Sequence, residues 1–263
     1  MVSFQKERYT VEDLLCIMQL LRSSCPWDRE QTHKSIRKNF IEETYEAVEA
    51  IDSEDFGLLK EELGDVLLQV AFHAQIAKES GNFDFGDVCD AVCKKLIVRH
   101  PHVFASTKAE SAEQALQGWE QVKNKGKPEQ TVTQSLKNIP LCLPALMRSQ
   151  KVQQKAAKAG FDYPDLDFAM TDLRSEVEEV QGALGSGDSA QLEEELGDLI
   201  FSAVNISRFA GVEAEEALTR SCDKFIARFA RVEQLACEKN INMQTASIQM
   251  LDSLWKEAKK QKS

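Results

Sequence analysis

Glycine and proline are scarce in this 263-residue chain, at 12 and 6, and aromatic residues make up only 7% of it. Few turn formers leave long uninterrupted segments, and those segments carry little strand signal. No apolar run reaches the length of a signal-peptide core or a membrane span, so no membrane association is expected. Basic residues are outnumbered, 32 Lys plus Arg against 43 Asp plus Glu for a net charge of -11. That charge repels bare nucleic-acid polymers and anionic membranes. The seven cysteines, Cys16, Cys25, Cys89, Cys93, Cys142, Cys222 and Cys237, lack the paired spacing of a zinc site. Only Cys89 and Cys93 stand one helical step apart, so reduced, mostly buried thiols in a cytoplasmic protein are expected. All four histidines, His33, His73, His100 and His102, lie in the first half. There is no Walker-type glycine loop and no nucleophile elbow.

What the chain does contain is helical periodicity and a repeat. Val66, Leu67, Val70, Ala74 and Ala77 recur at three- and four-residue steps, as do Leu199, Ile200, Ala203, Ile206 and Ala210. Glu61-Glu62-Leu63-Gly64-Asp65 returns as Glu194-Glu195-Leu196-Gly197-Asp198 at an offset of 133, and Glu43-x-x-Glu46 returns as Glu176-x-x-Glu179 at the same offset. Lys95-x-x-x-Arg99 reappears as Lys224-x-x-x-Arg228, and Trp119-x-x-x-Lys123 as Trp255-x-x-x-Lys259. Pro26-Trp27-Asp28 has a weaker echo in Gly160-Phe161-Asp162. Two copies of one all-α domain are therefore predicted, over 1–126 and 141–263. The polar stretch 127–140, with Pro128 and Pro140, is expected to link them.

Residues three apart on a helix share a face and sit about 4.5 Å apart along its axis, so Glu43 with Glu46 and Glu62 with Asp65 each form a carboxylate pair. The turn-like Asp52-Ser53-Glu54-Asp55-Phe56-Gly57 between them predicts a helical hairpin. About a midpoint at residue 54, Glu46 faces Glu62 and Glu43 faces Asp65. In the second copy Glu179 faces Glu195 and Glu176 faces Asp198 about residue 187, within Gly185-Ser186-Gly187-Asp188. Four carboxylates are predicted to converge in each copy, and their shared field calls for protonation or cations. All-oxygen ligands with room for water and phosphate suit Mg²⁺, with Mn²⁺ able to substitute. Gly64 and Gly197 fall inside helices at a cost of roughly 1 kcal/mol each relative to Ala, which predicts that something approaches the backbone there.

The cationic pairs Lys95/Arg99 and Lys224/Arg228 follow each acidic set and fit phosphate oxygens beside a metal. Trp119 and Trp255 suit either base stacking or a helical core. Glu30-x-x-His33 has no second copy and is set aside, because a function shared by both halves cannot need His. The chemistry these residues allow is metal-assisted attack by water on a phosphoanhydride.

With Cys25-Pro26-Trp27-Asp28, Arg99-His100-Pro101-His102-Val103-Phe104 and Leu143-Pro144-Ala145-Leu146 added, both acidic sets and the cationic pairs resemble the MazG family across nearly the whole chain. The tandem layout is that of bacterial nucleoside triphosphate pyrophosphohydrolases. Dimeric dUTPases and phosphoribosyl-ATP hydrolases share the acidic pattern but not the layout. The resemblance implies Mg²⁺-dependent cleavage of a nucleoside triphosphate to monophosphate and pyrophosphate, in nucleotide-pool housekeeping. It also implies an all-α homodimer, whose second subunit completes four-helix-bundle-like cores. It places metal ligands at Glu43, Glu46, Glu62 and Asp65 and at Glu176, Glu179, Glu195 and Asp198, the second set being catalytic. Its nucleotide contacts would be Asp172, Gln191, Glu194, Lys224, Arg228, Trp255 and Lys259, with Lys95, Arg99, Trp119 and Lys123 in the first copy. Two other readings stay open. One is an Mg-NTP-sensing module without turnover; the other is a structural helical dimer that responds to neither Mg²⁺ nor nucleotide.

Overall fold

The computed structural model describes residues 5–105, 108–124 and 131–260. The chain divides into two compact units, Met1–Gly126 and Lys127–Ser263, and among the described residues the only regular structure is helix. The first unit carries α1 (Val11–Ser24), α2 (Pro26–Glu30), α3 (Arg37–Asp52), α4 (Phe56–Glu79), α5 (Phe85–Arg99), α6 (Pro101–Phe104) and α7 (Ala112–Asn124). The second carries α8 (Val132–Lys137), α9 (Ala145–Lys158), α10 (Leu166–Ser186), α11 (Ser189–Phe209), α12 (Ala214–Glu238) and α13 (Ile248–Lys260). No helix is long and apolar enough to cross a membrane among the described residues.

Each unit is organised around one helical hairpin, α3–α4 and α10–α11, and the two reversals are built alike. Asp55 caps α4 by accepting from the backbone N–H of Gly57 and Leu58, and Asp188 caps α11 by accepting from Ala190 and Gln191. Before each cap stands one residue in the left-handed region, Glu54 at φ 55° and Gly187 at φ 74°. Small side chains dominate the buried hairpin faces: Ala47, Ala50, Ala71, Ala74 and Ala77 in the first unit, Ala169 and Ala183 in the second. Small residues let the helix axes approach, which brings the side chains at their margins within reach of one another.

Larger residues close each core. In the first unit Met18 of α1 and Ile36 pack with Phe72 and Ile76 of α4. In the second, Val232, Leu235 and Ala236 of α12 pack with Leu254 and Ala258 of α13, and Ile241, Met243 and Trp255 lie against them. Within the stretch expected as a linker, Val132–Lys137 forms α8, started by a capping box between Thr131 and Gln134. Ile139 just beyond it is buried, and Lys155 of α9 donates to the carbonyl of Ser135 at 2.6 Å.

One expectation is corrected. All seven cysteines are free, but six are exposed and only Cys25, between α1 and α2, is partly covered. A Cβ added at Gly64 or Gly197 would meet nothing within 4 Å among the described residues, so both positions stand open on their helices.

Candidate metal and nucleotide site

α3 carries Glu43 and Glu46, and α4 carries Glu62 and Asp65. The hairpin brings oxygen atoms of Glu43, Glu62 and Asp65 within 4.8 Å of one another, and α10 and α11 do the same for Glu176, Glu179 and Glu195. Glu46 and Asp198 stay exposed and fall outside these triads. The predicted quartets are therefore triads with a fourth carboxylate alongside. Each triad keeps one pair three residues apart on a single helix, Glu62 with Asp65 and Glu176 with Glu179, and takes its third carboxylate from the facing helix. The fourth member still acts electrically, Glu46 on Glu43 and Glu62, and Asp198 on Glu176.

No Lys or Arg forms a salt bridge with any of the eight carboxylates among the described residues. Burial, then the neighbouring Asp65, Glu46 and Glu62, hold the Glu43 carboxyl above the ordinary value. Burial, then Glu46 and Asp65, do the same for Glu62. For Glu176 the causes are burial, then Glu179, Asp172, Asp198 and Glu195. A raised carboxyl value in the folded chain means that the fold binds the proton more tightly than the unfolded chain does. That contribution to stability is present below the unfolded value near 4.5 and is lost as pH rises through the raised one. Glu176→Gln should therefore melt above the parent at neutral pH without divalent cation, and the gap should close as pH falls below the glutamate range. Thermal melts of both proteins across pH check it, and with Mg²⁺ added the order should reverse. A gap that ignores pH would refute this account of the triad.

One turn before Glu176 on α10, the Asp172 carboxylate accepts a hydrogen bond from Ser202 Oγ of α11 at 3.0 Å and one from the Tyr163 hydroxyl. Burial and that bond push the Tyr163 phenol up to about 12, so it stays protonated and donates. Beside Asp172 opens a cavity of about 260 Å³ that is also lined by Gln153, Phe161, Asn205 and Arg208. Arg208 forms an ion pair with Asp162 of the α9–α10 connection, and its Nε donates to Asn205 Oδ1 at 2.9 Å.

The family model of the MazG nucleotide pyrophosphohydrolase domain matches this chain twice, over residues 31–104 and 167–233, and each match contains one carboxylate triad. The chain belongs to the MazG family. A nucleoside triphosphate pyrophosphohydrolase of Escherichia coli strain K12 is 43% identical to it over 95% of this chain and 97% of the relative. A Thermotoga maritima protein named nucleoside triphosphate pyrophosphohydrolase/pyrophosphatase MazG is 42% identical over 94% of this chain and 95% of its own length. A solved MazG-related protein of Thermotoga maritima, 30% identical, covers 44% of this chain and the whole of its own, with a TM-score of 0.40.

The remaining MazG-type positions fall as follows. Lys224 and Arg228 lie one turn apart on α12, and no salt bridge engages either among the described residues. Lys95 and Arg99 hold the same relation on α5, where the Arg99 guanidinium lies 5.0 Å from the centre of the Trp119 ring. Trp255 packs on the α12–α13 core and stands 5.1 Å from Phe225, ring centre to ring centre. Gln191 and Glu194 are exposed near the start of α11, and Gln191 Oε1 accepts from Ser186 Oγ at 3.4 Å. Lys259 is exposed on α13. The side chain of Lys123 lies outside the described residues. His33, set aside on sequence grounds, meets His73 of α4 with Nδ1 atoms 2.8 Å apart and rings stacked at 5.1 Å. Sequence reasoning missed Tyr163, Ser202, Asn205 and Arg208; the only signal near them was the echo of Pro26-Trp27-Asp28 in Gly160-Phe161-Asp162.

Proposed function

We propose that the chain is a nucleoside triphosphate pyrophosphohydrolase, which splits its substrate into nucleoside monophosphate and pyrophosphate with Mg²⁺ as cofactor and Mn²⁺ as a substitute. The observation that carries this reading is the pair of carboxylate triads, which no Lys or Arg salt bridge offsets among the described residues, within a chain whose relatives bear that activity in their names. Oxygen-only donors at this spacing, with the carboxylates partly open to solvent, suit a hard divalent ion that keeps waters and takes phosphate ligands. In the second unit Glu176, Glu179 and Glu195 would hold the ion, with Asp198 beside them. Such an ion supplies charge neutralisation for phosphate oxygens and makes water a better nucleophile.

The chain's own groups do the rest. Lys224 and Arg228, in no salt bridge among the described residues, bind oxygens of the departing pyrophosphate. The Asp172 carboxyl group is fixed in direction, because Ser202 and Tyr163 both donate to it. With ¹⁸O-labelled water, the label should appear in the monophosphate, as attack at the α-phosphorus requires. Nucleoside diphosphate and orthophosphate as products would overturn the proposal, and nucleotide binding without any product would favour the sensing module.

The working unit on this reading is a homodimer. Leu63, Leu67, Leu196 and Ile200 are exposed on α4 and α11, Leu63 at 53% and Ile200 at 52%, so each hairpin presents an apolar face that this chain does not cover. Light scattering should report about twice the 29.6 kDa chain mass. A monomer at micromolar concentration would contradict it.

A further inference from the structure

The first unit holds every histidine of the chain, and two of them meet. His33 stands in the connection between α2 and α3, His73 lies on α4, and their Nδ1 atoms are 2.8 Å apart with the ring planes within 3° of parallel. That distance is a hydrogen bond, and a bond between two ring nitrogens needs one proton and one lone pair. The pair therefore has a limited capacity for protons. With both rings neutral, one Nδ1–H donates to the other Nδ1. One further proton goes to the free Nε2 of the donor ring, and the bond persists with charge assistance. The next proton puts N–H groups on both Nδ1 atoms, face to face on two positive rings, and the bond is lost.

What the bond fastens is the passage from α2 to α3. Arg22 of α1 holds its beginning, donating to the carbonyls of Arg29 at 3.2 Å and Gln31 at 3.0 Å. Ile36 anchors its end in the core with Met18, Phe72 and Ile76. Between these anchors the side-chain hydrogen bonds of Thr32 and Ser35 are local, whereas that of His33 crosses to α4, 40 residues on.

The surroundings of His73 make the pair sensitive to acid. Phe40 of α3 stands edge-on to its ring at 5.8 Å. Burial, then His33, hold the His73 ring below the ordinary histidine value. Other charges stand on the elements around it: Glu30 and Lys34 near His33 in sequence, Arg37 on α3, Asp84 before α5, and Arg22 on α1, which Glu79 of α4 neutralises. Among the described residues His73 responds to His33 alone. A lowered value means that the fold binds this proton less tightly than the unfolded chain does. The stability it contributes is present above the unfolded value near 6.5 and is lost as pH falls through the lowered one. The second unit has no such pair. At the offset of 133, Leu166 and Ile206 take the places of His33 and His73.

We propose that His33 and His73 form a proton-operated clasp, present in the first unit alone, that holds the α2–α3 connection on α4 at neutral pH and releases it in acid. The two copies then differ in their response to pH as well as in sequence. The clasp is independent of the pyrophosphohydrolase reading, since neither histidine belongs to the carboxylate triads.

Hydrogen exchange of the whole chain, corrected for the intrinsic effect of pH on exchange, tests it. Between about pH 7.5 and about pH 5.5, amides over 31–40 should lose about tenfold in protection, while the corresponding amides over 164–173 keep theirs. His33→Asn supplies the decisive comparison. Its carbonyl accepts from His73 Nδ1–H whether that ring is neutral or charged, and His33 is exposed, so the change leaves the core intact. In this variant the acid-dependent loss should vanish. Nuclear magnetic resonance of the histidine rings gives a second reading: His33 and His73 should titrate in two coupled steps about a unit or more apart, and His33→Asn should leave His73 a single step. Protection that ignores pH in the parent, an equal acid loss in His33→Asn, or two independent titrations at the ordinary histidine value would each overturn the clasp.

Discussion

Alanine at both Glu195 and Asp198 is expected to lower pyrophosphate release by about 10³-fold or more, because a step that depends on a bound cation has no substitute once its ligands are gone. Glu195 belongs to the triad of the second unit, and Asp198 is the carboxylate beside it that acts on Glu176. The fold should survive the change. Both residues lie on α11 away from the buried faces, alanine favours helix, and removing two negative charges relieves Glu176. The matching change at Glu62 and Asp65 should leave most of the rate, since the resemblance to tandem members makes the second set the catalytic one. Steady-state pyrophosphate release measures both, with circular dichroism confirming helix content. Equal losses would mean that both copies are catalytic or coupled, and a loss confined to the first unit would reverse the assignment.

The hairpins were legible in the sequence because each signal was local. Helical spacing put Glu43 with Glu46 and Glu62 with Asp65, the turn composition set the midpoint at residue 54, and α3 and α4 close about that point. The repeat then doubled the argument. What local spacing could not say is which of the four carboxylates in each hairpin falls outside the triad. It is Glu46 on α3 in the first unit but Asp198 on α11 in the second. The Tyr163–Asp172–Ser202 and Asp162–Arg208–Asn205 networks were invisible for the same reason. Ser202 and Asp172 are 30 residues apart and Arg208 and Asp162 are 46 apart, so only the packed fold reveals the partners. α8 was missed because proline and polar composition masked a capping box at Thr131.

Chelation should abolish turnover outright, and Mg²⁺ or Mn²⁺ should restore it. The argument is electrostatic and depends on no detail of the reaction. Three carboxylates with oxygens inside 4.8 Å repel one another, and the described residues provide no salt bridge to offset them. Protonation relieves the strain only in acid, as the raised Glu176 and Glu43 values express. At neutral pH a divalent ion is what remains, and a triphosphate brings further negative charge to the same place. Without the ion the substrate's charge adds to the repulsion, so chelation should weaken nucleotide binding as well as cleavage. EDTA titration of pyrophosphate release, paired with calorimetric binding of a non-hydrolysable triphosphate with and without Mg²⁺, separates the two effects. Undiminished turnover in excess chelator would remove the metal from the site altogether. Binding that survives chelation while cleavage is lost would confine the ion to the chemical step and leave Lys224 and Arg228 to hold the phosphates by themselves.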